Sequence, residues 1–432
     1  MRILIKNATL VSMDESREQV EKNMDILIEN NTISRIAKNI LIDLNSDTKI
    51  IDATNKVVMP GLINTHAHVP MSIFRETVDG YNLQDWLGKK IEPMEDQLTK
   101  EDIYYASLLS YIEMIENGCT TINDMYFMTE DSIKAMKEAG IRLQTTRTLV
   151  DVPTAESGIK RLNEFLNVIK NYKNYDEKLS FNVGIHGLYT ASPEYVKKCI
   201  QVARENNLYI HMHFCENSKE VENIKNSYSK EPVDVLLEYF QDDKILLAHA
   251  VKLNNEEIEK IKDMNVSIAH CPISNLKLGC GIANIKKMTE CGINVSLGTD
   301  GQGSGCNLDM FELMKYTALL QKGLHENPQL MSAYDVLKMA TVNGAKALGL
   351  EDIVGCISEG KMADIIIINM NNTKVKPENN LISQIVYNVT GDNVETTIVN
   401  GNILMENREL KVDIDKQEIY KKCDEIIERI SK

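Results

Sequence analysis

Between residues 61 and 300, eight short apolar runs rich in β-branched residues alternate with longer amphipathic stretches. The runs are GLINTHAH (61–68), CTTINDM (119–125), IRLQTTR (141–147), FNVGIH (181–186), LYIHMH (208–213), ILLAH (245–249), NVSIAH (265–270) and INVSLGTD (293–300). Stretches 102–117, 131–139, 157–171, 194–206, 254–263 and 307–322 carry apolar residues at helical spacing. Strands that alternate with helices specify βα units and a parallel sheet, because a parallel connection needs a crossover long enough to hold a helix. Eight such units predict an α/β fold, a (β/α)8 TIM-like barrel, in which the loops after the strands converge at one end and carry the chemistry.

The run ends are chemically unusual. In order they finish on or beside His66 and His68, Asp124, Arg147, His186, His213, His249, His270 and Asp300. A packed strand end has no need of such residues, and Asp or Arg is seldom buried without a partner, so a ring of them is hard to explain as packing. His66 and His68, two apart on one strand, project from the same face. With His213, His249 and Asp300 they supply the imidazole and carboxylate ligands that hold a catalytic Zn²⁺ or Fe²⁺ while leaving a position open. Glu216, three residues past His213, is either a proton carrier beside the metal or a solvated acid at a helix start. His211 shares the face of His213 one layer deeper, where a hydrogen-bonded core role is expected. His270 either supports the metal shell or lines the pocket, and His325 reads as a solvated loop residue.

Residues 1–58 alternate in the strand manner, and 361–404 do so again after a break at Gly355 and Gly360, ahead of a charged helical segment near 415–430. The two ends are expected to meet in a small β-sandwich domain. Its limits fall at 1–58 and 356–432, the latter including the terminal helix, with the barrel at 59–355. The 48 Lys plus Arg against 63 Asp plus Glu leave a net charge of −15, which repels nucleic acid and an anionic membrane face. No stretch approaches the roughly 18 apolar residues of a membrane helix, and the opening residues lack a signal-peptide core. Nine cysteines without paired spacing argue against a disulfide framework. A cytoplasmic protein with a small-molecule partner is expected, with homo-oligomerisation left open.

There is no H-E-x-x-H, no G-x-x-x-x-G-K-[ST] and no C-x-x-C, which excludes the metalloprotease helix, the P-loop and the zinc deaminases built on P-C-x-x-C. GQGSGC puts Cys306 where a dinucleotide fingerprint has its third glycine, and it follows the last strand run, so it is discounted. In contrast, MPGLINTHAH (59–68), HMHFCE (211–216), LLAHAVKL (246–253), HCPISNLKLGCGI (270–282) and SLGTDG (296–301) stand in the order and spacing of the amidohydrolase superfamily. The chain resembles that superfamily along essentially its whole length. Within it, the chain is similar to the single-metal aminohydrolases that deaminate 5'-methylthioadenosine and S-adenosylhomocysteine.

The resemblance implies that His66, His68, His213 and Asp300 hold one divalent metal per chain, Zn²⁺ in first place with Fe²⁺, Mn²⁺ or Ni²⁺ as alternatives. It implies that Glu216 shuttles protons to the purine, that His249 and Asp300 act on the attacking water, and that Glu216 and Asp300 both meet the substrate. His186 ends the strand where two-metal relatives carry a lysine, and is implied to contact substrate instead. Trp86 and Glu95 match residues that meet the ribose, and Arg147 and Arg161 match a pair that meets the amino-acid carboxylate of S-adenosylhomocysteine. The implied reaction is metal-dependent hydrolytic deamination of an adenine nucleoside at C6. Deamination of adenosine, guanine or cytosine and hydrolysis of a triazine use the same metal and stay open. A metal-free scaffold on the same barrel is a remoter alternative, because such chains lose ligands and this one keeps the set. Three departures line the expected pocket without removing a ligand. No proline precedes Tyr189, Asn217 stands where threonine is common, and Gly305 and Cys306 stand where asparagines often appear.

Overall fold

The computed structural model describes residues 2–42 and 48–431. The expected domain limits include Met1, residues 43–47 and Lys432, which lie outside the described residues. Five strands come first: β1 (Arg2–Leu10), β2 (Glu21–Glu29), β3 (Thr32–Ala37), β4 (Thr48–Asp52) and β5 (Lys56–Pro60). The run region follows as β6 (Leu62–Ala67), β7 (Cys119–Tyr126), β8 (Arg142–Arg147), β9 (Leu179–Phe181), β10 (Val183–Gly187), β11 (Ile210–Phe214), β12 (Ile245–His249), β13 (Val266–His270) and β14 (Asn294–Leu297). The chain returns through β15 (Ile365–Asn369), β16 (Val394–Val399), β17 (Asn402–Glu406) and β18 (Glu409–Leu410).

Each of the eight runs forms a strand, and the fourth is divided into β9 and β10 at Asn182. The Asn182 amide reaches Asn123 Oδ1 at 2.6 Å and Gln144 Oε1 at 3.2 Å, so its side chain takes up polar groups of two neighbouring strands. These strands pair in parallel as two sheets, β6-β7-β8-β9 and β10-β11-β12-β13-β14. A bridge between Leu149, just past the end of β8, and Ile185 of β10 links the two sheets on one side. On the other side, Asp300 N donates to His66 O at 2.9 Å and Thr65 Oγ1 to Leu297 O at 2.8 Å. Helices separate the strands as the spacing predicts. The helix Lys100–Glu116 begins at a capping box, with the Thr99 hydroxyl accepting from Asp102 N and the Asp102 carboxylate from Thr99 N.

The terminal strands form one nine-stranded mixed sheet, β18-β17-β16-β15-β5-β1-β2-β3. It forks at β1, whose first half pairs with β4 and whose last two residues pair with β5. β5 extends to Pro60, so residues 59 and 60 belong to this sheet. The all-isoleucine run of β15 has a simple cause, since both of its faces are covered. Ile365 and Ile367 join the core of the terminal sheet, whereas Ile366 and Ile368 join the core around the parallel sheets. The terminal helix Lys416–Ile430 was expected with the terminal strands, but it packs on Lys100–Glu116, where Cys423 Sγ meets Tyr105 O at 3.8 Å and Arg429 pairs with Asp102.

One buried ion pair fastens the two parts. Arg142, at the start of β8, donates twice to Asp364 at 2.9 Å, and Asp364 also accepts from Asn400 N at 2.8 Å. Arg142→Met leaves that carboxylate buried and uncompensated, and is expected to destabilise the fold by about 3–5 kcal/mol in denaturant melts. A loss below about 0.5 kcal/mol would show the pair to be dispensable.

Candidate metal centre

The centre is built where the strands end. His66 lies inside β6, His68 follows it, His213 lies in β11, His249 ends β12, and Asp300 comes three residues after β14. Gly298 allows this last approach: a Cβ there would lie 2.7 Å from His66 Cβ and 3.0 Å from His66 N. His249 and Asp300 have φ of 75° and 63°, left-handed values that cost non-glycine residues on the order of 1–3 kcal/mol and cluster at functional sites.

Ligand atoms of His66, His213, His249 and Asp300 all lie within 4.8 Å of one another. His249 thus stands in the group where the sequence expects His68. Yet His68 Nε2 is 3.2 Å from both His213 Nε2 and Asp300 Oδ1, so five groups face one point. Their outer bonds decide which ring nitrogen is bare. The Nδ1 of His68 meets Met125 O at 2.7 Å, that of His213 meets His186 O at 2.6 Å, and that of His249 meets Asn275 Oδ1 at 2.9 Å. Oxygens of this kind only accept, so each Nδ1 carries the hydrogen and each Nε2 turns a lone pair inward. His66 Nε2 and His249 Nε2 are buried with no hydrogen-bond partner among the described residues.

Lone pairs gathered around a carboxylate in a dry site call for a cation. Without metal the demand falls on His68, where burial lowers the pKa but the Asp300 carboxylate overrides it and raises it to about 9. Asp300 is itself held in place by Gly301 N at 2.9 Å, Ser274 Oγ at 2.5 Å and Ser304 Oγ at 3.0 Å. The donor set therefore fits a divalent ion such as Zn²⁺.

A cavity opens over this point, lined by His68, Trp86, Glu95, His186, His213, Glu216, His249 and Asp300. Glu216 Oε2 lies 3.8 Å from His249 Nε2. Burial, followed by repulsion from Asp300, pushes the Glu216 carboxyl up to about 8, so it is buried and proton-bearing rather than solvated. Glu220 orients it by accepting from Cys215 N at 2.8 Å and Glu216 N at 2.7 Å. His186 Nδ1 meets Thr190 Oγ1 at 2.9 Å, and that hydroxyl donates to Gly187 O, so the His186 ring keeps an acceptor nitrogen free. Glu95 accepts from Tyr126 OH at 2.6 Å.

Arg147 and Arg161 are not brought into the lining. Arg147 pairs with Glu164 at 2.7 Å and with Phe127 O, and Arg161 donates to Val150 O and Val152 O. No Lys or Arg lines the cavity among the described residues. His270 is fully buried and outside the lining, and His325 caps a helix half-buried instead of standing in solvent. Sequence reasoning missed Tyr126, Phe127, Thr148 and Tyr189, which do line it. Their only signal is position, one to three residues past Asp124, Arg147 or His186.

The model of the amidohydrolase family matches residues 57–404. The chain belongs to the amidohydrolase family. This amidohydrolase is 42% identical over 423 residues to the 5-methylthioadenosine/S-adenosylhomocysteine deaminase of Caldanaerobacter subterraneus subsp. tengcongensis, covering 97% of this chain and 96% of that one. It is 39% identical over 412 residues to the 5'-deoxyadenosine deaminase of Methanocaldococcus jannaschii, covering 94% and 96%. Among solved structures, an adenosine deaminase from Xanthomonas campestris with bound zinc is similar at a TM-score of 0.94 and 26% identity, covering 99% of this chain and 98% of that one. No helix among the described residues is long and apolar enough to cross a membrane.

Proposed function

We propose that this amidohydrolase is a metal-dependent aminohydrolase that deaminates adenine nucleosides at C6, with 5'-methylthioadenosine and S-adenosylhomocysteine as substrates. The observation that carries the reading is the set of inward imidazole lone pairs around Asp300, with the proton-bearing Glu216 at their edge. Relatives about 40% identical over nearly the full chain, named for this activity, support it. In this reading the two parallel sheets are halves of one closed (β/α)8 barrel that begins after Pro60 and runs to about residue 355, and the forked terminal sheet, with residues 59 and 60, is a sandwich-type domain made from the two ends of the chain. The protein acts in the cytoplasm on a free nucleoside.

His66, His68, His213 and Asp300 would hold one Zn²⁺, which when bound would supply an activated water at neutral pH. His249, anchored by Asn275, orients that water and takes its proton in concert with Asp300. Glu216 donates to N1 of the purine, which turns the ring into an electron sink as oxygen adds at C6. The Glu216 carboxylate left behind takes the proton of the new C6 hydroxyl and passes it to the amino group, so the C–N bond breaks, ammonia leaves and the C6 carbonyl of the inosyl product forms; the proton held by His249 and Asp300 then returns to Glu216. His186 accepts from the substrate, while Glu95 and Trp86 hold the ribose.

The tail is read less simply. A carboxylate-bearing tail gains Arg147 only if Arg147 releases Glu164, whereas a methylthio group needs no such exchange. Ammonia release from methylthioadenosine, 5'-deoxyadenosine, S-adenosylhomocysteine, adenosine, guanine and a chlorinated triazine, measured side by side, tests the reading. Methylthioadenosine is expected to give a higher kcat/KM than S-adenosylhomocysteine; activity on guanine or the triazine alone sinks the proposal.

A further inference from the structure

His211 takes no part in the chemistry above, yet among the described residues it is the one group bonded to His66 Nδ1, at 2.8 Å from its own Nε2. Both rings are buried, at 1% and 0% exposure, and His211 is outside the cavity lining. The other ring nitrogen of His211 meets Leu246 O on β12 at 3.1 Å. A carbonyl only accepts, so His211 Nδ1 carries the hydrogen and Nε2 holds a lone pair. That lone pair receives the hydrogen of His66 Nδ1, which leaves His66 Nε2 bare and directed at the metal point. The reverse assignment would set two acceptors face to face at Leu246 O.

His68 and His213 fix their tautomers on backbone carbonyls, and His249 does so on an asparagine side chain. His66 alone depends on a second imidazole, 145 residues away in the chain. Neighbouring rings pack around it, but this is the hydrogen bond that fixes which of its nitrogens faces Asp300 Oδ1, 3.5 Å distant.

We infer that His211 is a positioning residue for the metal: it sets the tautomer and ring orientation of His66 without touching metal or substrate. The inference rests on the metal reading above, and it assigns the deeper histidine of the HMH pair a duty separate from that of His213.

Two variants and one spectrum test it. Zinc affinity is measured on metal-stripped protein by competition with a chromophoric chelator, for wild type, His211→Leu and His211→Gln. The Leu variant is expected to bind zinc about 10- to 100-fold more weakly, the range found for loss of a partner behind a ligand. The Gln variant, whose Oε1 still accepts from His66, is expected to recover most of that loss. Metal-free melting temperatures of the two variants should agree, because a purely structural role would lower them without separating Leu from Gln in zinc affinity. Equal affinity in wild type and Leu overturns the inference, as does equal weakening in both variants. If the Leu variant does not fold, nitrogen-15 histidine spectra of the metal-free wild type decide, with His66 expected as the Nδ1–H tautomer and the Nε2–H tautomer overturning it. Failure of the wild type to bind zinc refutes the metal reading itself, a result distinct from the others.

Discussion

Glu216→Gln is expected to lower turnover of methylthioadenosine by about 10²- to 10⁴-fold, the span of general acid–base contributions, while zinc stays near one per chain. The reason is local. Glu216 is 4% exposed and 3.8 Å from His249, and its burial raises the pKa of its carboxyl, which favours the proton-bearing form. Glutamine keeps the volume and a hydrogen-bond donor but has no proton to transfer. Binding should therefore change far less than kcat, so the loss appears in kcat with KM within a few fold. Parallel assays of ammonia release and of zinc by atomic absorption check both halves. Turnover within about threefold of wild type would remove Glu216 from the chemistry, whereas loss of zinc would recast it as a ligand.

Stripping the metal is the second large effect. Chelator-treated protein is expected to release no ammonia above background, and one equivalent of Zn²⁺ to restore it. Asp300→Asn should mimic the stripped state, because the amide keeps the contacts of Ser274 and Ser304 only in part and loses the charge that faces His66 and His68. Metal should also stabilise the fold, since any ligand held only by the native state adds about 2.7 kcal/mol at a free concentration 100 times its Kd. Calorimetric melts with and without Zn²⁺ measure this. Full activity in protein shown to contain no metal would overturn the reading.

What the sequence reveals of this site follows from where barrel chemistry sits. His66, His213, His249 and Asp300 are legible because each is a polar residue closing an apolar run, a mismatch visible without knowing what lies across the barrel. Side-chain direction beyond the strand end is not legible in that way. Arg147 closes β8 as expected, but whether its guanidinium turns to the cavity depends on Glu164, on the next helix, and on the carbonyl of Phe127. Tyr126 closes β7 and Tyr189 sits in the loop after β10, and what each faces is set by contacts made far along the chain, so their sequence context reads as ordinary aromatic packing. The partner of His211 lies on a strand with no local mark linking the two, and the spacing of the HMH pair predicts the shared face but not the bond. In the terminal sheet, alternation shows strands, whereas the fork at β1 and the pairing of β5 with β15 are tertiary facts.

That last pairing bears on synthesis. β5 is complete at residue 60, but the strand that covers its free edge, β15, begins at Ile365. At a translation rate of about 5–20 residues per second, the intervening stretch of about 300 residues takes roughly 15 to 60 s to emerge. Throughout that interval the edge presents Val57, Val58 and Met59 to the cell with unpaired backbone groups, the condition under which strands recruit foreign partners. Until β15 is made, this edge is a place where the half-made chain can recruit foreign strands, so slow translation or pausing before Ile365 is expected to reduce its soluble yield.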